Sequence, residues 1–206
     1  MRSLLRRLPG ASLAIIGALA ILLASCGQPG PQFKNVDITG ADYGKDFRLT
    51  DHTGKIRQLA DFRGKLVVLF FGYTQCPDVC PATLGELALV MKSLGDDAKQ
   101  VQVLFVTLDP ERDSQELLAQ YVPAFNPGFL GLRGDVAATQ ETAKAFRVFY
   151  QKQPGAGPGS YSIDHTAGSY VFDRLGRLRL FVRYGATGDA GVAGLVADLR
   201  VLLAQQ

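Results

Sequence analysis

The chain has 206 residues, of which 47% are hydrophobic, and this suits one buried core rather than several large domains. It carries 22 basic and 19 acidic residues, but three of the arginines precede Cys26, so the rest of the chain has 19 of each. Because no block of basic residues remains, the composition argues against a nucleic-acid partner.

The first 25 residues predict a lipoprotein signal peptide. Three arginines precede an apolar run, residues 11–23, which is shorter than the roughly 18 residues of a membrane-spanning helix. The run ends in Leu23-Ala24-Ser25-Cys26, which resembles a bacterial lipobox and predicts that Cys26 is lipidated. An uncleaved membrane anchor is the alternative. Both interpretations tether the domain in a bacterial cell envelope, facing the periplasm or extracytoplasmic space.

A single folded domain, residues 46–206, is predicted to follow a flexible, glycine- and proline-rich tether, residues 26–45. The predicted elements are, in chain order, a β-hairpin that turns at 51–54, a buried strand at 66–71, a helix at 82–94, a strand at 101–108, a helix at 114–122, a short strand at 129–132, a helix at 135–146, a short strand at 149–151, a loop at 153–160, a hairpin of 167–172 with 177–184, and a helix at 190–203. This alternation predicts an α/β sandwich with a central mixed sheet flanked by helices and an N-terminal β-hairpin.

Two thiols lie where the strand at 66–71 gives way to a helix, in Gly72-Tyr-Thr-Gln-Cys76-Pro-Asp-Val-Cys80-Pro81. Pro81 suits the first position of a helix, so Cys80 is predicted at the N-cap and Cys76 in the preceding loop. The partial positive charge and free N–H groups of a helix start favour a thiolate. The pair is therefore predicted to be redox-active or metal-binding, with a plain structural disulfide as the alternative, since the CxxxC spacing still permits a bridge.

Cys76, Cys80 and His165 are the predicted metal ligands. Soft thiolates favour Cu(I), whereas imidazole serves Cu(I), Cu(II) and Zn(II). Three ligands leave the coordination shell incomplete, which suits a site that passes its metal on but also resembles a catalytic zinc site, so spacing alone does not choose between the metals. On residues alone, His165 also fits an ordinary loop or core histidine. His52 is expected in an exposed turn, and Met91 is expected in the core.

Four acidic residues lie near these ligands in the sequence. Asp78 is expected to be solvated or to help a partner dock. Asp109 and Asp113 follow a predicted buried strand, at the sheet edge where α/β proteins bind ligands. Asp109 is predicted to cap the next helix, or to support a basic group or a metal ligand. Asp164 precedes His165 and could orient its imidazole, as metal-bound histidines usually require.

Three segments together resemble the Sco/SenC family of copper-binding proteins, which have a thioredoxin-like fold. They are Phe71-Gly-Tyr-Thr-Gln-Cys76-Pro-Asp-Val-Cys80-Pro81, Thr107-Leu-Asp109-Pro-Glu-Arg-Asp113, and Asp164-His165-Thr166 with its following strand. The resemblance covers nearly the whole chain after the tether. It implies copper ligation by Cys76, Cys80 and His165, and a role in maturing the binuclear copper centre of cytochrome c oxidase subunit II.

Together with the predicted tether, the resemblance implies a membrane-tethered metallochaperone that binds one copper ion, as Cu(I) or Cu(II), and delivers it to oxidase subunit II. The enzymatic alternative is a thiol–disulfide oxidoreductase that reduces the oxidase cysteines, with Cys76 attacking and Cys80 resolving. A redox or copper sensor uses the same site, whereas a peroxidase fits poorly because it uses a lone attacking cysteine beside an arginine. No other catalytic residue is predicted. Another periplasmic copper chaperone or a thiol reductase is a further predicted partner.

Overall fold

The computed structural model describes residues 32–185 and 190–205. The predicted signal peptide and the lipidation site Cys26 lie outside these residues. Within the described residues, no helix combines the length and the apolar character needed to cross a bilayer.

The strands of the described residues are β1 (Val36–Asp37), β2 (Leu49–Asp51), β3 (Ile56–Arg57), β4 (Leu66–Gly72), β5 (Val101–Thr107), β6 (Leu130–Arg133), β7 (Tyr150–Pro154), β8 (Tyr161–His165), β9 (Gly168–Phe172) and β10 (Leu178–Arg183). Within the same residues, the α-helices are α1 (Val79–Leu94), α2 (Gln115–Phe125), α3 (Val136–Ala145) and α4 (Val192–Ala204), and 3₁₀ helices cover Leu59–Phe62 and Gly95–Gln100. The predicted α/β class is confirmed, and the predicted β-hairpin near the start of the domain corresponds to β2 and β3.

Eight of these strands form one mixed sheet in the order β1-β10-β9-β4-β5-β6-β2-β3. β4, β5 and β6 run parallel to one another, whereas β9 pairs with β4 and β2 pairs with β6 in the antiparallel direction. β4 is therefore a central strand, and all seven of its residues are buried. This burial on both faces explains its unbroken apolar sequence.

Alternate residues of β4 face two separate cores. Leu66, Val68 and Phe70 pack with the buried faces of α1, α2 and α4. Val67, Leu69 and Phe71 pack on the other side with Phe146 and residues of the N-terminal hairpin. The sheet is thus covered on both faces, because side chains alternate along a strand. Both the end of β4 and the start of α1 are held firmly by this packing.

Two of the predicted helices begin at residues whose side chains cap them, Ser114 and Asp135. Ser114 Oγ accepts a hydrogen bond from the backbone N–H of Leu117 at 3.2 Å. Asp135 Oδ1 accepts from the N–H of Ala138 at 2.7 Å. Each bond satisfies a backbone donor that the helix itself leaves unpaired. Because Ser114 caps α2, the predicted capping role of Asp109 does not occur.

The predicted loop at 153–160 is shorter in the structure, because two strands flank it. β7 and β8 pair antiparallel from Tyr150 opposite His165 to Pro154 opposite Tyr161, and they form their own two-stranded sheet. The prediction missed β8, since its sequence alternates exposed and covered positions and follows a run of glycine and proline. His165 is consequently the last residue of a strand rather than a loop residue.

Part of the segment predicted as a flexible tether packs against the domain. β1 pairs with β10, and the buried carboxylate of Asp198 on α4 accepts hydrogen bonds from the backbone N–H groups of Lys34 and Asn35 at 2.7 and 2.8 Å. The side-chain amide of Asn35 donates to the same carboxylate. Packing therefore begins near residue 33, not at residue 46.

Candidate metal centre

The two cysteines lie between the centre of the sheet and the first turn of α1. β4 ends at Gly72, and α1 begins at Val79 with Asp78 as its N-cap. Cys80 is therefore the second residue of the helix, and the prediction that it is the N-cap is wrong. The turn closes early because the N–H of Ala82 donates to the carbonyl of Asp78 at 3.1 Å. Pro81 tolerates this position, since the first N–H groups of a helix have no partner within it.

Cys80 is completely buried, with 0% of its surface exposed. Burial raises the pKa of the Cys80 thiol well above its ordinary value, and the neighbouring Cys76 raises it further. The sequence-based expectation that the helix start makes Cys80 a thiolate is therefore opposed by desolvation, which disfavours the charged form. A metal ion at this sulfur would have to displace the proton.

A free backbone N–H group at the start of α1 donates a hydrogen bond to Cys76 rather than to Cys80. The backbone N–H of Cys80 donates to Cys76 Sγ across 3.4 Å. Cys76 is half-buried in the preceding loop, as predicted. Both of these cysteines are free thiols. Cys80 is buried, and Cys76 lies nearer to the solvent.

His165 meets Cys80 although 85 residues separate them in the sequence. Its Nε2 lies 3.6 Å from Cys80 Sγ. Its Nδ1 lies 3.0 Å from the carbonyl oxygen of Thr166, and because a carbonyl only accepts, Nδ1 carries the proton. The Nε2 lone pair therefore faces the sulfur. Burial lowers the pKa of His165, which keeps the imidazole neutral and able to ligate a metal.

The imidazole is also enclosed by aromatic rings. The centroid of the Phe70 ring lies 6.3 Å from that of the imidazole, and the centroid of the Tyr73 ring lies 6.2 Å from it, both in edge-to-face geometry. The hydroxyl oxygen of Tyr73 accepts a hydrogen bond from the backbone N–H of Ile163 at 3.2 Å. Tyr73 thus packs against the ring and binds the strand that carries it.

Space for the Cys80 sulfur depends on the absence of a side chain at Gly72. A Cβ atom there would lie 2.8 Å from Cys80 Sγ, 2.9 Å from the Phe105 ring and 3.0 Å from the Phe70 ring. All three separations are below normal packing distances, so a larger residue would displace the sulfur or the rings. Sequence reasoning missed this role of Gly72, although the glycine that ends a buried strand is a visible signal of close approach.

Asp113 holds the beginning of the cysteine loop. Its carboxylate accepts hydrogen bonds from the N–H and the hydroxyl of Thr74 at 3.0 and 2.5 Å, and from the hydroxyl of Thr107 at 2.6 Å. Burial raises the pKa of Asp113 against the lowering effect of these bonds. Asp113 therefore fixes the start of the cysteine loop through its hydrogen bonds to Thr74. No sequence signal identified Thr74 as the partner of Asp113.

Asp109 is also completely buried, and it has a basic partner. Its carboxylate accepts hydrogen bonds from Arg112 Nε and, at 2.8 Å, from the Tyr161 hydroxyl. Of the alternatives that the sequence left open for Asp109, the structure shows the pairing with a basic residue.

Asp78 and Asp164 are exposed. Asp78 is consistent with a solvated residue. Asp164 accepts a hydrogen bond from Gln153 Nε2 at 2.9 Å, whereas the His165 imidazole is oriented by the carbonyl of Thr166. Side chains alternate along β8, so Asp164 faces away from the side on which His165 lies. The prediction that Asp164 orients the imidazole therefore does not match these contacts.

The remaining sequence candidates lie elsewhere. His52 is half-buried rather than exposed, because its Nδ1 accepts the N–H of Gly131 at 3.0 Å and joins the β2–β3 turn to β6. Met91 packs against the core, as expected. Neither residue contributes to the cysteine site.

A cleft of about 420 Å³ opens beside the cysteine loop, lined by Tyr73, Cys76, Pro77, Asp78, Val79, Ser162, Ile163, Asp164, His165 and Ala167. Cys76 and His165 line it directly. Among residues 32–185 and 190–205, no three cysteine, histidine or acidic side chains are already placed to hold one metal ion together. Cys80 Sγ is adjacent to His165 Nε2, and the backbone N–H of Cys80 donates to the sulfur of the half-exposed Cys76.

Comparisons with known proteins show which family the chain resembles over most of its length. A family model described as SCO1/SenC matches residues 36–199. The mitochondrial SCO2 homologue of Bos taurus is 38% identical over 186 residues, which cover 89% of this chain and 68% of that protein. The Homo sapiens SCO2 homologue is 40% identical, but the match covers 68% of this chain and about half, 52%, of that protein. Copper-bound ScoI of Bradyrhizobium japonicum superimposes with a TM-score of 0.70 at 37% identity, covering 78% of this chain and 99% of that one.

Proposed function

The chain belongs to the SCO1/SenC family, and we propose that it is a copper metallochaperone of the cell envelope. In this proposal Cys76, Cys80 and His165 bind one copper ion and pass it to the binuclear copper centre of cytochrome c oxidase subunit II. The observation that carries the proposal is the 3.6 Å approach of His165 Nε2 to Cys80 Sγ. Copper bound to the Bradyrhizobium japonicum relative supports the choice of metal.

The donor set suits copper. Two sulfurs and one imidazole nitrogen are soft or borderline ligands, which favour Cu(I) and also accept Cu(II). The Nε2 lone pair of His165 is free to ligate, because Nδ1 is occupied by the carbonyl of Thr166. The rings of Phe70 and Tyr73 pack edge-to-face against the imidazole and help to fix its orientation.

The proposed transfer proceeds by ligand exchange at the open side of the site. Cys76 and His165 line the cleft, whereas Cys80 lies behind them. A thiolate of the acceptor would therefore approach from the cleft and replace Cys76 or His165 first. A lipid at Cys26 would keep the domain near its membrane-bound partner and raise the effective concentration of the pair.

The first experiment measures copper and zinc stoichiometry on the reduced full-length protein, alongside Cys76→Ser, Cys80→Ser and His165→Ala. One tightly bound copper, lost or greatly weakened in each variant, is the expected result. His52→Ala is the matched control, because it removes the other histidine of the chain and leaves the proposed ligands intact. Zinc bound in preference to copper, or copper retained in all three ligand variants, would contradict the proposal.

A second candidate function is a thiol–disulfide oxidoreductase that reduces the copper-site cysteines of the oxidase. The half-exposed Cys76 and the buried Cys80 support it, since an accessible attacking thiol and a protected resolving thiol are what this chemistry requires. Cys76 would attack the oxidised partner to form a mixed disulfide. Cys80 would then displace the partner thiol, so two electrons pass to the partner and a Cys76–Cys80 disulfide forms. A separate thiol reductase would have to restore the dithiol.

His165 distinguishes the two functions. His165→Ala removes a proposed copper ligand but leaves both thiols, so a reductase would remain largely active while a chaperone would fail. Normal oxidase maturation by this variant would therefore favour the reductase. A redox or copper sensor would use the same three residues, and it would be indicated by intact oxidase maturation in all three ligand variants.

A further inference from the structure

The strand that carries His165 has limited support from backbone pairing. Within the described residues, β7 and β8 pair with each other and are not part of the eight-stranded sheet. A two-stranded hairpin is marginally stable by itself in water. His165, the last residue of β8, is separated from β9 of the main sheet by two residues, whereas the start of β8 is held by side-chain contacts between this hairpin and the rest of the domain.

The most extensive of these contacts centre on Arg112, in the loop between β5 and α2. Arg112 Nε donates to the buried carboxylate of Asp109. Its Nη1 donates to the carbonyl oxygen of Tyr161, the first residue of β8, at 2.9 Å. The guanidinium carbon also lies 3.5 Å from the centroid of the Tyr161 ring, within the range of a strong cation–π contact.

Tyr161 completes a closed set of contacts. Its hydroxyl donates to Asp109 Oδ1 at 2.8 Å, so one buried carboxylate holds both Arg112 and Tyr161. On β7, Lys152 Nζ lies 4.6 Å from the centroid of the same ring and forms an ion pair with Glu111. Both strands of the hairpin are thus bound to the loop that carries Arg112.

These contacts restrict where the imidazole can lie. From Tyr161 to His165 an extended strand spans about 13 Å, and its middle is held where Ile163 N–H donates to the Tyr73 hydroxyl. The Arg112 guanidinium lies 5.8 Å from the Tyr73 ring centroid, so both anchors belong to one packed group. Loss of the anchor at Tyr161 would let the strand, and with it His165, move away from Cys80.

We propose that Arg112 is a positioning residue for His165. The Arg112 clasp, formed by Asp109, Arg112 and Tyr161, holds β8 so that Nε2 of His165 faces the Cys80 sulfur. This inference rests on the proposed role of His165 as a copper ligand. Groups that orient metal ligands without touching the metal typically change metal affinity ~10–100-fold when they are removed.

The test is a double-mutant cycle on Cu(I) affinity, measured on the reduced full-length protein by competition with a chromophoric Cu(I) chelator. Arg112→Ala is expected to weaken binding by about tenfold or more, and by less than about twofold when His165→Ala is already present. Arg112→Lys is expected to give a smaller loss, since lysine keeps the charge beside Asp109 but not the flat stacked guanidinium.

Arg57→Ala is the matched control. Arg57 also donates through Nε to a fully buried carboxylate, that of Asp51, and its side chain is 26% exposed compared with 20% for Arg112. It lies in the N-terminal hairpin, so its loss should lower stability without changing copper affinity. This control separates a general loss of stability from a specific effect on the site.

Equal weakening by Arg112→Ala in both backgrounds, or native affinity in Arg112→Ala, would overturn the proposal. Urea unfolding shows whether each variant is folded. If Arg112→Ala is not folded, the double-mutant cycle with His165→Ala is measured with Arg112→Lys instead. Native copper affinity in His165→Ala alone would instead overturn His165 ligation, so that failure of the proposed function is distinguishable from failure of the Arg112 clasp.

Discussion

Burial makes the two cysteines chemically different. Cys80 is enclosed beside His165 and keeps its proton, because burial raises the pKa of its thiol. Cys76 is half-exposed and lines the cleft. In the chaperone proposal this difference assigns the buried Cys80 to retention of the ion and the cleft-lining Cys76 to its exchange. The same asymmetry would separate a resolving thiol from an attacking one in the reductase alternative.

At the residue scale, Gly72→Ala is expected to weaken copper binding and to lower the free energy of unfolding by ~1–3 kcal/mol. The new methyl group would lie 2.8 Å from the Cys80 sulfur and within 3.0 Å of two phenylalanine rings. Urea unfolding and copper stoichiometry measure the two effects.

Gly85→Ala is the control for this substitution. Gly85 lies in α1, and a Cβ atom there meets nothing within 4 Å. Alanine is therefore expected to raise helix stability by ~0.5–1 kcal/mol and to leave copper binding unchanged. Equal effects at Gly72 and Gly85 would show that the close approach to Cys80 is unimportant.

At the scale of elements, short pieces of backbone present the site, and polar side chains hold those pieces in place. Asp113 binds the start of the cysteine loop, and the Arg112 clasp binds β8. In the N-terminal hairpin, Asp51 has a similar role, since its buried carboxylate accepts bonds from Thr53 and Arg57. In each case one carboxylate accepts hydrogen bonds that join a short element to a neighbouring segment.

Asp51 predicts a measurable acid sensitivity. Burial by itself would raise its pKa, but hydrogen bonds from Thr53, Arg57 and Lys55 lower the pKa to about 2. The carboxylate therefore stabilises the fold above about pH 4, and this contribution is lost as pH falls from about 4 towards 2. In Asp51→Asn, the loss of unfolding free energy across this interval should be smaller by about 2 kcal/mol.

Urea unfolding at a series of pH values tests this expectation. Glu141→Gln serves as the control, because it removes an exposed carboxylate from α3 and should leave the acid-induced loss nearly native. If Asp51→Asn and the native protein lost stability equally over the interval, the carboxylate would not be the stabilising group.

At the scale of the whole molecule, the sheet is covered on both faces, and the site lies beyond the carboxyl end of its central strand β4. β4 and α1 are held by packing on both faces of the sheet, whereas β8 approaches from outside it. The proposed ligands therefore come from three places: Cys80 from the start of α1, Cys76 from the loop before it, and His165 from a separate hairpin. Agreement with the copper-bound ScoI structure confirms the predicted thioredoxin-like architecture.

Copper should stabilise the whole domain, because the proposed ligands join the core to the hairpin. A ligand at a thousandfold excess over its dissociation constant adds about 4 kcal/mol to the free energy of unfolding. Burial raises the pKa of Cys80, so copper must displace a proton there, whereas His165 is neutral because burial lowers its pKa. Copper affinity should therefore rise about tenfold per pH unit for each proton released.

Thermal unfolding of the reduced protein, with and without Cu(I) at about pH 6, 7 and 8, measures both effects. The copper-dependent increase in Tm should grow with pH and should be lost in Cys80→Ser. An increase in Tm that does not change across this range would mean that no proton leaves Cys80 when copper binds.

Local patterns in the sequence were sufficient for much of the fold. The buried strand β4, the helices that begin at Ser114 and Asp135, and the turn that holds both cysteines were all predicted, because each depends on neighbouring residues. Family-specific motifs pointed to His165 as a partner of the cysteines. The ligand roles of these residues stay predictions.

Tertiary structure alone decided the chemistry of the site. It brings His165 to Cys80 across 85 residues, buries the Cys80 thiol, and assigns the imidazole proton to Nδ1 through the carbonyl of Thr166. It also revealed β8 and the need for glycine at position 72. These properties depend on desolvation and on contacts between segments far apart in the chain, and neither quantity is encoded in any local pattern of residues.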